Sequence, residues 1–189
     1  MTVRQFEARY RADPDPWRYE SSAYERDKYR ATLDACGPGP FARALELGAS
    51  IGVFSALLAP RCRELVTIDA APTAVLAARR RLARGEGASV RALIGVLPGA
   101  IPHTTFDLVV ASEILYYLTP AALDGTLRRL HETMAPGARL VAVHWRPAGP
   151  ERPFTAAEVH ARLRAQPWLR HLADAHAAEY LLDVMERSR

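Results

Sequence analysis

Along this chain, short and nearly continuous apolar runs alternate with stretches in which apolar residues recur every three or four positions. The first periodic stretch, SSAYERDKYRATLDAC (21–36), places Tyr24, the aliphatic stem of Lys28, Tyr29, Leu33 and Cys36 on one face. Ser21 or Ser22 supplies an N-cap and GPGP stops the period, which predicts a helix. Strands are expected at 42–47, 64–69, 89–95, 106–112 and 138–145, and helices at 51–60, 73–84 and 120–136, with 96–105 irregular. The strand runs are rich in Val, Leu and Ile, as where helices cover both faces of a sheet. Alternating strand and helix calls for right-handed crossovers and a doubly wound, mostly parallel sheet. After a Pro-rich loop (146–153) and a helix (155–166), WLRHLADAH and EYLLDVMERS read as two strands joined by a short turn. The expectation is a seven-stranded α/β sheet that ends in an antiparallel hairpin. With no repeat and no dividing linker, residues 1–189 read as one domain.

Composition narrows the partners. A chain of 189 residues buries about 70% of its unfolded surface, and 24% charged with 49% hydrophobic residues is ordinary for a globular protein. The N-terminal stretch has no apolar signal core and no apolar run reaches spanning length, so a cytoplasmic chain without a membrane partner is expected. Cys36 and Cys62 lack metal-site spacing and read as reduced, buried thiols. The net charge of +4 raises the question of nucleic acid. Lys28 is the only lysine, the arginines are dispersed, and the dense run RRRLAR (79–84) falls in an expected helix. A solvated helix face accounts for it better than a phosphate-binding surface, and no nucleic-acid partner is expected.

The chemistry begins at ALELGASIGVFSALL (44–58), a strand, a glycine turn and a helix. No Gly-Lys-Ser/Thr triplet is present, which removes a Walker loop. A dinucleotide turn G-x-G-x-x-G needs glycine at 48, 50 and 53, where the chain has Gly48, Ser50 and Val53. The pattern acidic-x-G-x-G-x-G fits better, with Glu46, Gly48, Ser50 and Gly52. It resembles the first motif of class I S-adenosylmethionine methyltransferases, whose glycines admit a ligand without phosphates close to the backbone. Asp69 ends the next strand about twenty residues on, the spacing at which an acid accepts ribose hydroxyls. Ala49, Ala70 and Ser112 complete the expected cofactor contacts in the core.

The whole chain carries a closer likeness. DPDPW (13–17), YERDKY (24–29), LELGASIGVFSALLAPRC (45–62), SEILYYL (112–118) and VHWRP (143–147) resemble the nodulation protein S family. Members are S-adenosylmethionine-dependent N-methyltransferases of a free glucosamine amine in a chitooligosaccharide. The resemblance implies that residues 1–38 form a helical lid over a cofactor-binding core at 39–189. It implies cofactor contacts from Trp17 and Tyr24, and a carboxylate partner in Arg26. The chain departs from such enzymes after the third strand, where Gly95 stands in place of an acidic residue for the adenine amino group. Backbone groups of Gly95 and Val96 are the expected substitutes.

In a doubly wound sheet the crevice opens past the C-terminal strand ends, which places Glu113, Tyr116 and Tyr117 beside His144 and Trp145. Glu113 or His144 suits a base that neutralises an amine, and Tyr116, Tyr117 and Trp145 suit a wall for a cationic group. The plainer alternatives stay open: Glu113 as a turn cap, His144 as a hydrogen-bonded structural ring, one of the tyrosines as packing. The remaining histidines show no metal spacing, and no metal is expected. A base-amine methyltransferase lacks its Pro-Pro-aromatic stretch here. Methylation of another small-molecule or natural-product acceptor, at nitrogen or oxygen, is the alternative.

Overall fold

The structure, a computed structural model, describes residues 1–85 and 88–189. Two helices, α1 (Val3–Ala12) and α2 (Ala23–Cys36), precede the sheet. Strands β1 (Phe41–Leu47), β2 (Cys62–Asp69) and β3 (Ser89–Ile94) alternate with α3 (Val53–Leu58) and α4 (Pro72–Leu82). β4 (Phe106–Ser112), α5 (Pro120–Thr133), β5 (Met134–Trp145), α6 (Ala156–Arg164), β6 (Leu169–His176) and β7 (Tyr180–Arg187) follow. The strand order is β3-β2-β1-β4-β5-β7-β6. β1 to β5 run parallel, and β7 inserts antiparallel between β5 and β6. The expected hairpin is therefore present.

The period of two along each strand divides the core. Leu45, Val109, Leu140 and Ala142 point to one face, where Leu123, Leu127 and Leu130 of α5 cover them. Ala44, Leu108, Val141 and Val143 point to the other, against Tyr29 and Cys36 of α2 and Phe54 and Leu58 of α3. Each such Leu or Val contributes about 1.5–3 kcal/mol by leaving water. Cys36 and Cys62 are buried free thiols. Because the chain steps outward from β1 to β3 and then returns to β4, the β1/β4 junction is the switch point, and a crevice opens at its C-terminal end.

Several boundaries differ from expectation, for local reasons. Pro136 drives its predecessor out of the helical region, so α5 stops at Thr133 and β5 starts at Met134. Gly52 adopts φ +77 as the cap of α3, which shortens that helix at its start. The arginine run is largely solvated, with Arg79, Arg80 and Arg84 exposed, while Arg79 also donates to the Ala92 carbonyl and Arg81 to the Ile51 carbonyl and to Glu20. Helix α1 falls within the helical lid expected at 1–38, although its own bounds were not part of that expectation. Among the described residues no helix is long and apolar enough to cross a membrane.

Candidate active site

The β1–α3 turn is built on its backbone. Gly48 and Ala49 both donate their amides to the Ile68 carbonyl, at 2.8 and 3.0 Å. Gly48 has φ +77, and a Cβ there would lie 2.8 Å from the Cβ of Ile114, so only glycine lets this turn approach the loop after β4. Ser50 takes the left-handed region as well, at φ +50. Its amide donates to Asp69 Oδ2 at 2.8 Å, and its hydroxyl accepts from Tyr10 at 2.6 Å. Asp69 Oδ1 accepts the Ala71 amide at 2.9 Å. Burial pushes the Asp69 carboxyl above its ordinary value, against the pull of these amides. Glu46 is 3% exposed and accepts the Ser55 hydroxyl. Burial pushes its carboxyl up to about 7, and no basic side chain pairs with it among the described residues.

Past the ends of β1, β2 and β4 lies a cavity of about 650 Å³. Glu46, Gly48, Ala49, Ser50, Asp69, Ala70, Gly95, Val96 and Ser112 line one end, and Glu113, Tyr116, Tyr117 and Trp145 the other. Trp17 and Tyr24 also line it. Helix α1 and the segment after it form the roof. Phe6 meets Tyr117 edge-on at 5.0 Å and Trp17 at 6.0 Å, while Tyr10 meets Trp17 at 5.4 Å. Glu7 accepts from the Thr73 amide and hydroxyl on one bank, and Arg9 pairs with Glu151 on the other at 2.9 Å.

At the second end Glu113 gathers donors. Its Oε1 accepts from Lys28 Nζ at 2.8 Å, and its Oε2 from the Tyr116 hydroxyl and the Trp145 amide. Its backbone sits at φ +56, and a non-glycine residue persists there only because the surrounding bonds over-determine it. The Arg152 guanidinium lies over Tyr116 at 4.6 Å and over Trp145 at 5.2 Å.

Four expectations change. His144 does not reach the cavity: it is fully buried, its Nε2 accepts the Leu115 amide, and its Nδ1 is 3.1 Å from His160 Nε2. Burial and His160 hold the ring well below its ordinary value, which leaves a neutral structural ring rather than a base. His160 in turn meets Asp183 at 2.9 Å, and Arg164 grips Asp183 with two nitrogens. Arg26 is exposed, donates to the Ser21 carbonyl and does not line the cavity. Gly52 is outside the lining too; a Cβ there would press within 2.9 Å of Ala78, so it serves α3–α4 packing. The Gly95 amide is committed to the Asp69 carbonyl at 2.9 Å, and a Cβ at 95 would fall 2.5 Å from that of Ala100, which excludes an acidic side chain.

Sequence reasoning missed Lys28, Glu25 and Arg152 as lining residues. Lys28 is 2% exposed, and its signal was its being the one lysine in an arginine-rich chain. A compact ammonium fits between two carboxylates where a guanidinium fork does not. No cluster of metal-ligating side chains occurs among the described residues.

Known proteins resemble this chain in sequence and in fold. A nodulation protein S (NodS) family profile matches residues 2–148. Nodulation protein S of Sinorhizobium fredii is 33% identical over 69% of this chain and 60% of its own length. The chain spans 55–61% of the length of the first curated relatives it matches. The crystal structure of N-methyltransferase NodS from Bradyrhizobium japonicum WM9 with S-adenosyl-L-homocysteine superposes with a TM-score of 0.87 over 100% of both chains, at 24% identity. A candidate methyltransferase from Pseudomonas syringae is 36% identical, with a TM-score of 0.74 over 88% of this chain and 100% of its own. The seven-stranded sheet is the class I methyltransferase fold. By the family match over most of its length, the chain belongs to the nodulation protein S (NodS) family.

Proposed function

We propose that the cavity binds S-adenosylmethionine and that the chain transfers its methyl group to a free amine of a deacetylated amino sugar or oligosaccharide. The observation that carries the cofactor half is the pair of acids at one end: Asp69 at the tip of β2 and the buried Glu46, set around a turn that Gly48 holds open. Each Asp69 oxygen accepts one backbone amide and retains capacity for a ribose hydroxyl. Glu46 is a buried carboxyl without a basic partner, and the ligand's ammonium supplies one. Ala49, Ser50, Ala70 and Ser112 line the same end, and Val96 offers backbone to the adenine where an acidic side chain is sterically excluded. When bound, the cofactor supplies a methyl activated by positive sulfur.

This chain's own part is alignment and exclusion of water. Trp17 and α1 roof the cavity, with residues 1–38 acting as the lid. Tyr116, Tyr117 and Trp145 form an aromatic wall that favours a cationic amine by about 0.5–2 kcal/mol. Glu113 anchors that wall through Lys28 and Tyr116. The substrate is a small molecule or oligosaccharide met in the cytoplasm. The family's N-methylating members support the amine, as does an acceptor end carrying carboxylates and aromatics.

The test offers glucosamine-terminated oligosaccharides, their N-acetylated counterparts and bulk RNA with labelled cofactor. Label confined to the free-amine sugars is the expected outcome. Equal labelling of both sugars points to a hydroxyl acceptor and removes the amine. Transfer to RNA that weakens steeply with salt marks a nucleic-acid enzyme instead.

A further inference from the structure

Two polar atoms in the cavity wall are buried without a partner: the Tyr24 hydroxyl and Glu25 Oε2. Both sit in the first turn of α2, and Glu25 is only 7% exposed. Folded proteins rarely leave such groups unpaired, because each gives up its water and gets nothing back. The charges around them are also unbalanced. The Lys28 ammonium lies 3.0 Å from Glu25 Oε1 and 2.8 Å from Glu113 Oε1, one positive charge between two carboxylates. Both Glu113 oxygens already accept bonds from Lys28, Tyr116 and Trp145. Glu25 Oε2 alone in this trio of charges lacks a donor. A group that brings positive charge and N–H donors together satisfies the oxygen, the hydroxyl and the charge count at once.

We propose that Tyr24 and Glu25 form the subsite that receives the acceptor's protonated amine, and that Glu25 Oε2 takes its proton before methyl transfer. The assignment rests on the amine-methylating reading above, and it moves Tyr24 from the cofactor to the acceptor. Its ring faces Tyr180 of β7 at 6.4 Å, on the side of Glu113 rather than of Asp69. In the first step the ammonium N–H bond breaks, and the proton passes to the Glu25 carboxylate. The freed nitrogen lone pair then forms the C–N bond to the methyl carbon as the C–S bond breaks, its electron pair remaining on sulfur. The product is a methylated ammonium, and Glu25 returns its proton to solvent when the product leaves.

Burial raises the Glu25 carboxyl above its ordinary value, with Lys28 pulling the other way, so the group is a better proton acceptor than an exposed glutamate. The charges and titratable groups around it are Lys28 and Tyr29 on α2, Glu113 after β4, and Asp15 and Tyr19 before α2. Burial also raises the Tyr24 phenol, which therefore stays protonated and accepts an N–H through its oxygen.

The test measures methyl transfer to a glucosamine-terminated oligosaccharide across pH, for wild type, Glu25→Gln and Tyr24→Phe, with cofactor affinity measured in parallel. Glu25→Gln keeps the shape and an acceptor for Lys28. It should lower kcat by about 10²–10⁴-fold near neutral pH, recover as pH rises and the amine ionises unaided, and leave cofactor affinity unchanged. Tyr24→Phe keeps the ring over Lys28 and should raise KM for the amine about tenfold with little change in kcat. Wild-type kcat in Glu25→Gln, or a loss of the same size at every pH, overturns the proton-acceptor role. An unchanged KM in Tyr24→Phe overturns the subsite. If wild type methylates sugar hydroxyls, the subsite falls while the methyltransferase reading stands. If it transfers to none of these sugars, the subsite and the amino-sugar acceptor both fall.

Discussion

Asp69 holds Ser50 and Ala71 by their amides, so it clamps the glycine turn, and in the proposed function it also accepts the ribose. Asp69→Ala should weaken S-adenosylmethionine binding by about 5- to 150-fold, the ~1–3 kcal/mol cost of stranding buried hydroxyls. Calorimetry on a protein shown to be folded checks this, and unchanged affinity removes Asp69 from the site. Glu46, Gly48 and Asp69 were legible in the sequence because their constraint is local: one turn, one spacing, one strand tip. His144 was not, and the reason is parity. Successive residues of a strand face opposite ways, so His144 follows Ala142 and Leu140 into the core toward α6, whereas Trp145 follows Val143 and Val141 to the other face and lines the cavity. Arg26 and Lys28 pose the same problem on a helix. Two positions apart on α2, they cannot share a face, and packing made Lys28 the buried member.

At the scale of elements, the strands and the later helices were readable because each buries its own apolar stripe. Helix α1 buries little of its own. Its face is Phe6 and Tyr10, and its partners are Ser50, Thr73, Tyr117 and Glu151, all remote in sequence. Its own signals, the Thr2–Gln5 capping box and the spacing of Val3, Phe6 and Tyr10, are local, but the partners that fix its place over the cavity are not. If α1 closes the cavity rather than merely packing on it, Phe6→Ala should speed cofactor release. Losing the contacts with Trp17 and Tyr117 should accelerate it about tenfold, at roughly 0.5–1.5 kcal/mol per aromatic pair. Stopped-flow displacement of the bound cofactor reads this directly. A release rate equal to wild type would make α1 a scaffold.

Over the whole molecule, the cavity gathers buried phenols. Burial raises Tyr10, Tyr19, Tyr24, Tyr29, Tyr116 and Tyr117 above their ordinary value of 10. Cys36 and Cys62 are pushed up to about 12 in the same way, and the two flanking carboxylates raise Lys28 despite its burial. All these groups hold their protons longer folded than unfolded. Their contribution is therefore complete below the unfolded values of 9 to 10.5 and is lost as pH rises through them, since the unfolded chain then binds fewer protons. Tm should hold steady from pH 7 to about 8.5 and fall steeply above pH 9, with phenolate absorbance appearing together with unfolding. Phenolate absorbance that rises near pH 10 while the fold persists would show that these rings are accessible to solvent. The doubly wound order needed only the alternation of elements to be foreseen, whereas this shared interior of rings needed the lid to be placed. One residue joins the two. Ser50 accepts a strained backbone where the motif favours glycine, and in return its amide grips Asp69 and its hydroxyl grips Tyr10. The turn and helix α1 are thus tied through a single residue. A change at position 50 therefore loosens the glycine turn and helix α1 together rather than either one alone.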